Sequence, residues 1–65
     1  GPDYDEAECV RKVASQPAII TFKGKRWRVP KSFKGEWLAI RPHDANSQYG
    51  IYFGANLIKT IDLAS

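Results

Sequence analysis

Seven of the chain's ten basic residues, Lys23, Lys25, Arg26, Arg28, Lys31, Lys34 and Arg41, fall between Thr21 and Pro42. The same stretch, TFKGKRWRVPKSFKGEWLAIRP, holds both tryptophans, Trp27 and Trp37, and one acid, Glu36. The chemistry these residues offer is electrostatic. Lysine and arginine side chains neutralise phosphates and release condensed counterions, which gives affinity for DNA with little sequence preference. A tryptophan among them adds a face on which a base or a guanidinium stacks. Arg26, Arg28 and Arg41 are the first candidates for phosphate contact, and Lys23, Lys25, Lys31 and Lys34 on the flanking turns form a second ring. Trp37 is placed to stack on a sugar, a base or Arg28. Five such contacts would give a log–log salt slope of about −4 to −5.

Catalytic chemistry is poorly supplied. The only histidine, His43, stands beside Asp44, and the only cysteine, Cys9, is distant in sequence. The pair reads as a solvated turn residue and a small apolar residue rather than as base and nucleophile. A metal site needs about three or four converging His, Cys or carboxylate ligands, more than one His and one Cys supply. No glycine belongs to a phosphate-cradling GxxxxGK[ST] run, and no Ser, His and Asp stand at motif spacing. The expectation is a non-catalytic module with no cofactor. Tyr49, Tyr52, Trp37 and Trp27 could build a cage for a methylated lysine, but a cage wants acids where this stretch has arginines, and Trp27 reads as core. A groove for proline-rich peptides wants an acidic, tyrosine-bearing early loop, which is missing here.

At 65 residues the chain is one small domain, of a size that buries only about 60% of its unfolded surface. The expected core is Val13, Ile20, Phe22, Trp27, Val29, Leu38, Ile40, Ile51, Phe53, Ile58 and Ile61. No apolar run is long enough for a membrane span or a signal peptide, so no membrane partner is expected. A single cysteine excludes an internal disulfide and suits a reducing cytoplasm. Gly1-Pro2 has the look of a tag-cleavage remnant. The charge divides unevenly: residues 1–8 carry Asp3, Asp5, Glu6 and Glu8 with no base, and residues 9–65 carry ten bases against three acids, a net of +7. So positive a domain attracts polyanions, although lysine-rich edges also serve solubility. The expected division is a polar lead-in over 1–8 and a folded domain over 9–65.

The elements that must hold these residues are strands. Alternation in RWRV puts Arg26 and Arg28 on one side and Trp27 and Val29 on the other; in EWLAIR, Leu38 and Ile40 oppose Trp37, Ala39 and Arg41. Ala18–Lys23 is β-branched and aromatic, Gly24 offers a tight turn, and Arg26–Val29 returns as a strand that Pro30 ends. Lys31–Gly35 is a short connection, with Phe33 as a plug, before a strand over Glu36–Arg41. The simplest pairing sets this strand antiparallel to Arg26–Val29, with Trp27 near Leu38 and Arg28 near Trp37, so that all three arginines share an outer face. His43–Ser47 reads as a loop. Tyr49–Phe53 and Leu57–Ile61 are strands around a turn at Gly54-Ala55-Asn56. The lead-in has capping-box spacing at Asp3/Glu6 and Asp5/Glu8 for a brief helix, and the competing reading is a flexible tail followed by a strand at Cys9–Val13. Five or six short antiparallel strands imply an all-β fold, a small barrel rather than a sandwich.

Taken together, VRKV…ITFKGKRWRVPKSFKGEWLAIRP…YGIYFG…LIKTIDL resembles the C-terminal segment of bacterial insertion-sequence transposases with an integrase core. In that family VRKV precedes a pattern like IxFxGxxYRV, then xxLxGExVxLRP, then a strand pair ending IxTIDL. The positions that match here include Val10–Val13, Ile20, Phe22, Gly24, Arg28, Val29, Gly35, Glu36, Leu38, Arg41, Pro42 and Thr60–Leu63. Trp37 departs from the pattern, standing where the family often has a charged residue. The resemblance implies an SH3-like barrel and favours a strand at Cys9–Val13. It also implies that a metal-dependent catalytic core lies upstream, while this piece grips DNA and helps hold transposase subunits or that core together. A bacterial cytoplasmic, nucleoid-associated location goes with it.

Overall fold

The computed structural model describes residues 1–64; Ser65, the last residue of the expected domain, lies outside the described residues. The strands are β1 (Cys9–Lys12), β2 (Ile19–Phe22), β3 (Lys25–Arg28), β4 (Trp37–His43), β5 (Ala45–Phe53) and β6 (Asn56–Asp62), with one 3-10 turn at Lys31–Phe33. They form two antiparallel sheets, one ordered β1-β4-β5-β6 and the other a β2-β3 hairpin. The fold is all-β, as the alternation implied. No ladder of hydrogen bonds joins β3 to β6, so the sheets face each other without closing into a barrel.

Local chemistry explains the β2–β3 hairpin. Lys23 and Gly24 have φ of 54° and 73°, two successive left-handed residues whose turn follows the right-handed twist of the strands. Register sets Ile20 opposite Trp27 and Thr21 opposite Arg26. Ile20 and Phe22 therefore bury, while Arg26 and Arg28 face solvent.

The pairing of β3 with β4 expected above does not form. A strand has two hydrogen-bonding edges, and those of β4 are taken by β1 and β5: Trp37 faces Lys12, Ala39 lies between Val10 and Tyr52, and Ile40 lies between Cys9 and Ile51. Trp27 is thus not beside Leu38, and Arg28 is not beside Trp37. Cys9–Lys12 is a strand because that conformation turns Cys9 and Arg11 to the same side as Ile40 and Leu38. Backbone bonds extend each sheet, Val13 N–H to Glu36 O beyond β1–β4 and Val29 N–H to Ala18 O beyond β2–β3, and Ala14 N–H to Ile19 O joins the end of β1 to β2.

The core between the sheets consists of Val13, Ala18, Ile20, Phe22, Val29, Leu38, Ile40, Ile51 and Ile61. Trp27, Phe53 and Ile58, expected inside, are only partly buried against it, as is Phe33. Phe33 plugs the open end at 5.4 Å from the Phe53 ring. The expected loop at 43–47 is instead a tight reversal: β4 runs to His43 and β5 starts at Ala45, with Asp44 alone at φ 48°. Asp tolerates that left-handed conformation better than most residues.

Two features of the four-stranded sheet matter below. On its outward side, Gly50 leaves room for the Tyr52 ring, since a Cβ there would come within 2.7 Å of the ring and 2.9 Å of Leu57 Cδ1. The lead-in, expected as a brief helix or a flexible tail, makes one turn, with the Asp5 carboxylate capping Ala7 N–H and Glu8 N–H bonding Asp5 O. It then lies against the sheet as a strap. Tyr4 Oη donates to Trp37 O at 2.8 Å and accepts from Gly54 N–H at 3.0 Å.

Candidate nucleic-acid interface

The outward side of β2–β3 carries Arg26 and Arg28, both exposed. Alternation puts them there, and Trp27 fixes it: its Nε1–H donates to Phe22 O at 3.2 Å, which holds the indole inward. Together with Pro17 and Ile19 the two arginines line a shallow depression of about 260 Å³. Among the described residues neither guanidinium has an ion-pair partner.

Two cations that the sequence reading passed over join this sheet. Lys59 lies on β6, yet its Nζ reaches the backbone carbonyl of Arg28 at 2.7 Å. Arg11, on β1, donates from Nε to Thr21 O at 3.0 Å, so its head bridges to the strand position facing Arg26. A register shift between Ile51 and Tyr52 sets Lys59 opposite inward-facing Ile51, so the Lys59 stem runs along the core edge and its ammonium emerges at β3. Alternation counted from Ile61 puts Lys59 inward, whereas alternation counted from Ile58, also expected inside, puts it outward.

The remaining candidates divide. Lys23 and Lys25 flank the hairpin turn, with their ammonium groups 5.7 Å from the Phe22 ring and 5.9 Å from the Trp27 ring. Lys31 and Lys34 are exposed on the connection that follows. Arg41 does not share the outer face of Arg26 and Arg28: it projects from the outward side of the other sheet, where it already has a partner. Its Nε and Nη2 grip the two oxygens of Glu8 at 2.6 and 3.0 Å, and Nη1 donates to Gly54 O at 3.0 Å. The guanidinium also sits 4.6 Å from the centre of the Tyr52 ring. The hydrogen bond from Arg41 holds the Glu8 carboxyl below its ordinary pKa, and the same bond raises that of Arg41.

Trp37, on β4, is 53% exposed on the same outward side, and Leu57, on β6, is 46% exposed. Trp37 sits one sheet away from Arg28, so the expected stacking between those two does not occur. His43 Nε2 lies 3.6 Å from the Asp44 carboxylate. Among the described residues no group of three or more His, Cys, Asp or Glu could hold a metal ion. Among the described residues no helix is long and apolar enough to cross a membrane.

Fold and side chains thus define a small two-sheet all-β module whose smaller sheet carries Arg26 and Arg28, without ion-pair partners among the described residues. The model of the IS481 family transposase, C-terminal domain, matches residues 8–65, and the chain belongs to that family. Its role accordingly lies in transposition. No curated protein and no solved structure matches the chain.

Proposed function

We propose that this domain is a non-catalytic DNA-binding module of its transposase, holding the duplex by its phosphates through the outward side of β2–β3. The observation that carries the reading is the pair Arg26 and Arg28, exposed, free of carboxylates and reinforced by Lys59 at the Arg28 carbonyl. Surface arginines without acid partners keep their charge available for phosphate, whereas ion-paired ones do not. Lys23 and Lys25 on the hairpin turn, and Lys31 and Lys34 beyond it, extend the cationic rim along the backbone. The contacts are to phosphate, so sequence preference is weak.

Titration into short duplex DNA at several salt concentrations tests this. Binding that weakens with salt at a log–log slope of about −4 to −5 is expected, with a large loss on Arg26→Ala plus Arg28→Ala. Absence of binding at low salt, or indifference to the double substitution, removes the proposal.

A second reading has its own observation. Among the described residues Trp37 and Leu57 are the exposed large apolar ones, and they stand on the sheet opposite Arg26 and Arg28. A large exposed aromatic is a common anchor in protein interfaces. That face would pack on the upstream catalytic core or another transposase subunit while β2–β3 faces DNA.

A further inference from the structure

The strap over residues 1–8 brings four acids onto a domain otherwise rich in bases, and one of them closes on an arginine. Between Arg41 and the β2–β3 turn lies a cleft of about 460 Å³ whose lining includes Lys23, Phe22, Pro42, Tyr49, Arg41 and Glu8. Its lining holds two cations, and its two aromatic residues, Phe22 and Tyr49, meet edge to face at 4.9 Å. The Glu8 carboxylate fills the Arg41 fork with both oxygens. A phosphate presents the same paired acceptors to the same fork, so the carboxylate occupies the position a phosphodiester would take.

The strap is lightly held. None of residues 1–8 is buried; among the described residues its polar ties to the sheet are the Tyr4 hydroxyl and the Glu8–Arg41 pair, with Pro2 beside Gly54. Segments with few buried contacts open locally at low cost. Lifting the strap removes Glu8 from the cleft and leaves Lys23 and Arg41 facing an anion with no carboxylate between them.

We infer that the Arg41 cleft is a second phosphate seat for DNA, filled by Glu8 in the free domain, so that the acidic strap and the nucleic acid compete for one guanidinium. This rests on the DNA-binding reading above. The strap then sets the affinity: a polyanion gains the Arg41 contact only by displacing Glu8, and whatever draws the strap away strengthens the grip.

The test compares duplex DNA binding by the wild-type domain, Glu8→Gln, Glu6→Gln and the double variant Glu8→Gln/Arg41→Gln over a salt series. Glu6 is exposed, and its substitution removes the same charge from the same strap without touching Arg41. The expected result is about three- to tenfold tighter binding for Glu8→Gln, with a salt slope steeper by about 0.9, the signature of one added phosphate contact. Glu6→Gln should change affinity less than about twofold, and the double variant should return to the wild-type value. Equal gains for Glu8→Gln and Glu6→Gln, or a gain that survives loss of Arg41, would mean bulk charge and overturn the seat. Wild-type binding that Glu8→Gln leaves unchanged overturns the competition alone. Failure of both proteins to bind at low salt overturns the DNA-binding reading and the seat with it. Deleting residues 1–7 gives a second route, and binding no tighter than wild type in that variant also counts against the strap.

Discussion

Lys59 donates from Nζ to the backbone carbonyl of Arg28 across 2.7 Å, joining the last strand to the third over 31 residues of chain. The contact fixes an ammonium at the Arg28 backbone without using its guanidinium. The cationic side of the small sheet is therefore assembled from distant parts of the sequence.

If Lys59 works with Arg28 on phosphate, Lys59→Ala should flatten the salt slope of duplex binding by about 0.9 and weaken affinity several-fold at low salt. Its effect on thermal stability should be small, because the ammonium is at the surface and a single hydrogen bond contributes roughly 0.5–1.5 kcal/mol. An unchanged slope in a folded variant would take Lys59 out of the interface.

Trp37→Ala separates the two faces. A truncated anchor should abolish association with the catalytic core or with other subunits, read by gel filtration or ultracentrifugation of the full transposase. DNA affinity of the isolated domain should stay within about twofold, since Trp37 is neither on β2–β3 nor among the residues that line the Arg41 cleft. The reverse pattern would move Trp37 to the DNA side.

Core substitutions should act through stability alone. Leu38 and Ile51 are wholly buried. Leu38→Ala is expected to cost about 2–5 kcal/mol, most of what a domain this small has at roughly 0.05–0.15 kcal/mol per residue, and should leave it largely unfolded at 37 °C. Ile51→Val should cost about 0.5–1.5 kcal/mol and lower Tm by about 3–10 °C. Circular dichroism melts check both, and a Leu38→Ala domain that melts like wild type would contradict the packing.

Two carboxylates make stability depend on acid pH. Glu8 is held below its ordinary pKa chiefly by the Arg41 hydrogen bond, and Asp62 by the Ala64 N–H, then the Ser47 hydroxyl. A depressed folded-state pKa means that the unfolded chain takes up protons first as pH falls. The stabilisation is therefore present above the unfolded pKa, about 4, and is lost as pH drops through the folded values. Both groups are at the surface, so the effect is modest. Tm should be level from about pH 7 to 5 and decline below about 4, and Glu8→Gln/Asp62→Asn should show a shallower decline. A double variant that falls as steeply as wild type would assign the decline to other groups.

Much of this architecture was legible before the coordinates. Alternation around Trp27 and Val29 set Arg26 and Arg28 outward, and β-branched runs bounded by Gly24, Pro30 and Gly54 marked strands. Partner choice was not legible. Nothing in RWRV or WLAIR says that β4 gives both edges to β1 and β5; the deciding element is Cys9–Lys12, whose four residues are too few for periodicity to type. Lys59 is passed over when Ile58 is read as core, which sets its neighbour outward; the register shift leaves Ile58 out of the pairing and Lys59 opposite Ile51. Arg41 was read as an open cation because a contact with Glu8, 33 residues away, has no local signature.

The open seam between β3 and β6 has a mechanical consequence. Side-chain packing and the Lys59 tether span it, so no interstrand ladder has to rupture for the hairpin to rock against the larger sheet. A sealed barrel would present its guanidinium groups at one fixed pitch. Here Arg26 and Arg28 stand on a hairpin with no ladder to β6, which under the proposed DNA contact would let them follow a duplex of changing curvature.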